Sequence, residues 1–171
     1  MENYKGVQFE IRQDTSAESS RGDDNLGTMI CFHGRYDLGD EHDFSDVDEA
    51  KRFVEDEVKN IVMLPLYLYD HSGITMNTTG FSCPWDSAQV GYIYVDYDRI
   101  KEEYSVDVVS EKLINKVLDI LRDEVKTYDM HLTDDIWGYI IDDTDSCWGF
   151  YGRDAAEEAA REQIDCGVAK C

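Results

Sequence analysis

A chain of 171 residues suits one ordinary domain, long enough to bury a core without disulfide or metal support. Its 38 Asp and Glu against 16 Lys and Arg leave a net charge of −22, which repels phosphate backbones and anionic lipid and so excludes general nucleic-acid or membrane-surface binding. No run reaches the roughly 18 apolar residues of a membrane span. Met1 to Lys5 lacks a leader's apolar stretch, and five widely spaced cysteines (Cys31, Cys83, Cys147, Cys166, Cys171) suit reduced thiols. A cytoplasmic protein without a cofactor or structural zinc is expected.

Val7 to Arg12 alternates apolar and polar residues, as a half-buried strand does, and the Ser/Asp/Gly-rich stretch within 14–26 reads as a flexible loop. Thr28 to His33 reads as a second strand. Ser45, with Asp48 three positions on, predicts the start of a helix whose apolar positions are Val47, Ala50, Phe53, Val54, Val58 and Ile61. Ile61 to Tyr69 is a buried strand, with Pro65 demanding an edge or a bulge. Residues 70–89 show neither helical nor strand period and predict a long working loop before a strand at Val90 to Tyr97. A helix opens at Ser110 with Leu113, Ile114, Val117, Leu118, Leu121, Val125 and Tyr128 on one face. A hairpin of Ile136–Ile141 with Cys147–Tyr151 and a closing helix from Arg153 to Ile164 complete the chain. This order lacks regular βα alternation. It predicts a single α+β domain, 1–171, with a mainly antiparallel sheet of about five to six strands packed with three main helices.

Three groups of words resemble a family of uncharacterised accessory proteins carried by bacteriophages, plasmids and conjugative elements. They are Asp24–His33 with Leu38-Gly-Asp-Glu-His42, then Leu64–Gly73 continuing to Phe81–Asp86, and finally Asp145–Phe150. The resemblance covers most of the chain. It implies a genomic setting in which small acidic proteins counter host defence, and it carries no catalytic residues across.

The acidity itself is the first candidate for function. Carboxylates on neighbouring helical turns lie roughly 5–6 Å apart, the scale of phosphate spacing on a duplex, so the surface is read as a DNA mimic. The densest set is Asp37, Asp40, Glu41, Asp43, Asp46, Asp48, Glu49, Glu55, Asp56 and Glu57, extended by Glu102, Glu103, Asp119, Asp123 and Glu124. Its partner is expected to be the basic DNA-binding cleft of a host restriction or CRISPR nuclease, with no direct contact to nucleic acid. The alternative is a small enzyme or nucleotide-binding protein working through Asp70, His71, Cys83 and Asp86, joined by Ser72, Ser146 and Cys147, where an imidazole polarises a thiol. His33, His42 and His71 near Asp24, Asp40, Glu41 and Asp70 are acceptable metal ligands, but no spacing matches a known site, and no metal is expected. The words Ser82–Trp85 and Ser146–Gly149, with Trp137, Tyr139 and Tyr151, suggest a pocket for a flat molecule, for which Arg35, Arg99 and Arg153 are the available cations.

Overall fold

In the computed structural model the described residues are 1–57, 60–142 and 145–168. In chain order the elements are β1 (Glu2–Tyr4), β2 (Val7–Gln13), a 3-10 turn (Ser20–Gly22), β3 (Thr28–Cys31), α1 (Val47–Glu57), β4 (Ile61–Asp70), β5 (Ile74–Asn77), β6 (Ser87–Asp96), α2 (Tyr97–Tyr104), α3 (Glu111–Leu132), β7 (Ile136–Ile141), β8 (Asp145–Tyr151) and α4 (Arg153–Val168). The fold is α+β with every strand pairing antiparallel. The expected single sheet of five to six strands is instead eight strands in two sheets of four, ordered β1-β2-β7-β8 and β3-β6-β4-β5. Among the described residues no helix is long and apolar enough to cross a membrane.

The chain divides into two compact units, one from Met1–Ser19 with Met130–Cys171 and one from Ser20–Asp129. In the first, Lys5 and Gly6 both take left-handed backbone (φ 51° and 87°), the two-residue turn that joins β1 to β2. Alternate residues of β2 and β7 put Phe9, Tyr139 and Ile141 on one face, where Ala160 and Ile164 of α4 complete a buried cluster. Phe150 of β8 extends it, its ring 5.8 Å from that of Tyr139.

In the second unit the pleat sends Met29 and Ile93 to one face and Tyr94 to the other. Val117, Leu121, Val125 and Tyr128 form the buried stripe of α3. The helix seats so closely that a Cβ on Gly27 would lie 2.5 Å from Leu121 and 2.9 Å from Ile93. On the opposite face an aromatic chain runs Phe32, His42, Phe44, Phe53, Tyr94 with centroids 4.8 to 5.8 Å apart. It attaches α1 through Phe53, while Ala50 is fully buried.

Several expected boundaries move, each for a local reason. The first long helix is described over Val47–Glu57, Val58 lies outside the described residues, and Ile61 begins β4 instead of ending a helix. Pro65 sits in an interior strand, yet β5 covers only Tyr67–Asp70, so β4 has no neighbour on that side at Pro65, and the register shifts between Leu66 and Tyr67. The predicted loop 70–89 contains β5, which pairs with β4 through a tight turn in which Ser72 is left-handed (φ 60°). Helix α2 is unforeseen. Asp96 caps its start by accepting the Arg99 N–H at 2.7 Å, and left-handed Ser105 closes it.

Gly91 marks the tightest approach, since a Cβ there would lie 1.8 Å from the backbone oxygen of Ile30. Gly91→Ala is expected to cost about 3 kcal/mol or more by forcing β3 from β6. Gly22→Ala, where a Cβ meets open space, serves as the control. Urea unfolding of both variants checks this.

Candidate functional site

The acidic run between residues 37 and 57 plays three different roles. Asp37, Glu41, Asp43, Asp46, Asp48 and Asp56 are exposed, and among the described residues none of the six enters an ion pair. Asp46 also caps α1, its Oδ1 accepting the Glu49 N–H at 2.8 Å, one position later than the Ser45 signature predicts. Glu49 turns back to accept from the Ser45 hydroxyl (2.6 Å) and N–H (2.8 Å), and these bonds hold its carboxyl below the usual range. The side chains of Glu55 and Glu57 lie outside the described residues.

Asp40 points inward. Arg21, its side chain only 6% exposed, donates from Nε and Nη2 to the two Asp40 oxygens at 2.7 Å each, from Nη1 to Glu124 at 3.3 Å, and from Nη2 to the Gly27 carbonyl at 2.6 Å. Asp40 also accepts the Met29 N–H (2.7 Å), and Glu124 accepts the Leu26 N–H (2.8 Å). Burial by itself would lower the guanidinium pKa, but Asp40 and then Glu124 outweigh it, and the net shift is upward. The thiol of Cys31 is buried near this network, and its pKa is pushed up from 9.0 to about 12 by desolvation, with the Asp40 charge adding to it. Sequence reasoning missed Arg21. The available signal was a single cation inside an otherwise polar, acidic stretch.

The loop candidates do converge. Asp70 and Asp86 are joined across the sheet by an Asp70 N–H to Asp86 C=O bond of 2.8 Å. Arg35 grips both Asp70 oxygens at 2.7 and 2.8 Å, and His33 Nε2 lies 4.0 Å from Asp70. The other nitrogen of His33, Nδ1, accepts the N–H groups of Arg35 and Tyr36 at 3.3 and 3.2 Å and holds the turn. Asp86 Oδ2 accepts from the Cys83 thiol at 3.4 Å and lies 3.5 Å from His71 Nδ1. The group touching the thiol is therefore a carboxylate, and the expected imidazole–thiol contact is replaced by two separate contacts to one oxygen. That arrangement ties the β4–β5 turn to the loop before β6. His71 reaches the same Asp86 oxygen, not the thiol.

The remaining candidates separate. Glu124 is the Arg21 partner, Asp119 pairs with Arg122 at 2.7 Å, and Glu102, Glu103 and Asp123 are exposed. Trp85 is 91% exposed, Tyr139 is core, Trp137 donates to Asp135 at 2.7 Å, and Trp148 lies over Gly138. Ser146 and Cys147 belong to β8. Arg99 and Arg153 are held by Asp24 (3.4 Å) and by Glu2, the latter at 2.6 Å. Among the described residues no three His, Cys, Asp or Glu side chains gather as a metal-ligand set.

No family model, curated protein or solved structure matches this chain.

Arg21→Ala strands two partly buried carboxylates and is expected to cost about 3–5 kcal/mol at neutral pH, with Arg21→Lys recovering only part because the fork is lost. Denaturant midpoints of the two variants decide this. The Cys31 shift yields a second expectation with a definite sign. The folded pKa exceeds the unfolded one, so the contribution is complete below pH 9 and is lost as pH rises from 9 toward 12. Stability of the wild type relative to Cys31→Ser should fall there by about 1.4 kcal/mol per pH unit. Melting both proteins across that range measures the slope.

Proposed function

We propose that this chain is a non-enzymatic, acidic inhibitor that occupies the basic nucleic-acid-binding cleft of a host defence protein such as a restriction or CRISPR nuclease. The observation that carries this reading is the set of exposed carboxylates of Asp37, Glu41, Asp43, Asp46, Asp48 and Asp56, none of which enters an ion pair among the described residues. No Lys or Arg interrupts the sequence from Asp37 to Ala50. Carboxylates left without internal cations keep their field for a partner, and attraction of this kind speeds and orients docking onto a positive surface. The resemblance to proteins of mobile elements supplies the setting.

The enzyme alternative draws less support. Its thiol contacts Asp86, and its carboxylates are engaged by Arg35, Cys83 and His71. The cluster reads as the fastening of a turn.

The test is a pull-down from host lysate at low and at high salt with bound proteins identified by mass spectrometry, followed by titration of the captured nuclease. A variant carrying D37N, E41Q, D43N, D46N and D48N keeps the α1 cap, because Asn also caps. It is expected to bind about tenfold more weakly or worse, with a flatter salt dependence. Capture that ignores salt, or a nuclease held equally well by the variant, would sink the reading.

A further inference from the structure

An antiparallel sheet leaves a row of unpaired N–H and C=O groups along each outer strand, and proteins block such rows when they are not used. Three of the four outer strands here are blocked. β1 is three residues long. β3 is covered by the segment at Asp40, whose N–H donates to Met29 O at 2.8 Å and whose carboxylate accepts the Met29 N–H at 2.7 Å. β5 is stopped by Asp129 of α3, which accepts the Met76 N–H at 2.7 Å and the Thr75 hydroxyl at 2.8 Å.

β8 is treated differently. It is seven residues long, its first five residues are exposed, and among the described residues no backbone group from Asp145 to Phe150 bonds to anything but β7. From Ser146 to Gly152 it carries no charged side chain, in a chain where 32% of residues are charged. Ahead of the irregularity at left-handed Gly149 (φ 86°), Asp145, Ser146 and Cys147 pair with β7 in regular register. Trp148, 44% exposed, lies beside them.

We propose that β8 is the self-association surface of this protein, where a second copy adds its own β8 antiparallel across a two-fold axis and joins two four-stranded sheets into one of eight. Identical antiparallel strands are self-complementary under that symmetry, because each donor row meets the partner's acceptor row. A second copy also fits the charge. Two chains of −22 repel wherever carboxylates face each other, and the uncharged run of β8 lets them meet without adding to that repulsion. The remaining long-range repulsion is screened by salt, so this association strengthens as salt rises. That sign is opposite to binding in a basic cleft, and the inference stands independently of the proposed inhibitor function.

Sedimentation equilibrium of the full chain at low and high salt is the experiment, with amide exchange read on β8. The wild type is expected to dimerise more tightly at high salt, and its Ser146–Trp148 amides to gain protection as concentration rises. Ser146→Glu, which places like charges face to face at an exposed position, should weaken the dimer about tenfold or more. Gln8→Glu adds the same charge at an exposed site on the interior strand β2 and should change it by no more than about twofold. A wild type that stays monomeric at every salt overturns the proposal. So does a dimer whose β8 amides exchange independently of concentration, or one that both variants weaken alike. If Ser146→Glu loosens the monomer itself, the concentration dependence of wild-type β8 exchange still decides the question.

Discussion

The second unit is organised around one guanidinium. Arg21 reaches from a short turn into partly buried space and finds Asp40, Glu124 and the Gly27 carbonyl there, linking three stretches distant in sequence. Such a group contributes little net stability, because its desolvation offsets much of its attraction, but its absence is costly because the carboxylates remain. The consequences spread outward. Asp40, held in place, covers the outer side of β3, and Glu124 pins Leu26 just ahead of that strand. Where Glu124 anchors α3, the stripe of Val117, Leu121 and Val125 is delivered to the sheet.

Much of this fold was legible in the sequence where a period was long. The 22 residues of α3 repeat their apolar spacing over six turns, and β7–β8–α4 follows from alternation and a closing Ala-rich run. The failures share a cause, which is brevity. β1, β5 and α2 are three, four and eight residues long, too short for periodicity to outweigh composition. In each the decisive information was a turn or cap: Lys5-Gly6, Ser72-Gly73, and Asp96. The division into two sheets was not legible, since strand order depends on pairings between Val7–Gln13 and Ile136–Ile141 that no local pattern states.

The candidate sites show the same limit in another form. Composition counts carboxylates, but only geometry assigns them work. Asp46 and Asp96 cap helices, Asp70 and Asp86 fasten a hairpin to its neighbour, Asp129 shields a strand, and Asp40 and Glu124 balance an internal cation. The exposed acids outside these roles lie in several stretches, Asp37, Glu41, Asp43 and Asp48 in one and Glu102, Glu103 and Asp123 in others. For the Cys83 cluster, the sequence named the residues that meet. It could not say that the carboxylate would be the hub, because hydrogen-bond order is set by the cross-strand register of Asp70 and Asp86.

The first unit is built from residues 1–19 and from residues beyond 129, and the whole of the second unit intervenes. During synthesis the β1–β2 hairpin therefore emerges well before the strand it pairs with. At ordinary translation rates of roughly 5–20 residues per second, Phe9 and Ile11 wait on the order of ten seconds for β7. The intervening segment has all of its own sheet by then. The second unit can therefore close its sheet while β2 still lacks the strand that covers its inner edge.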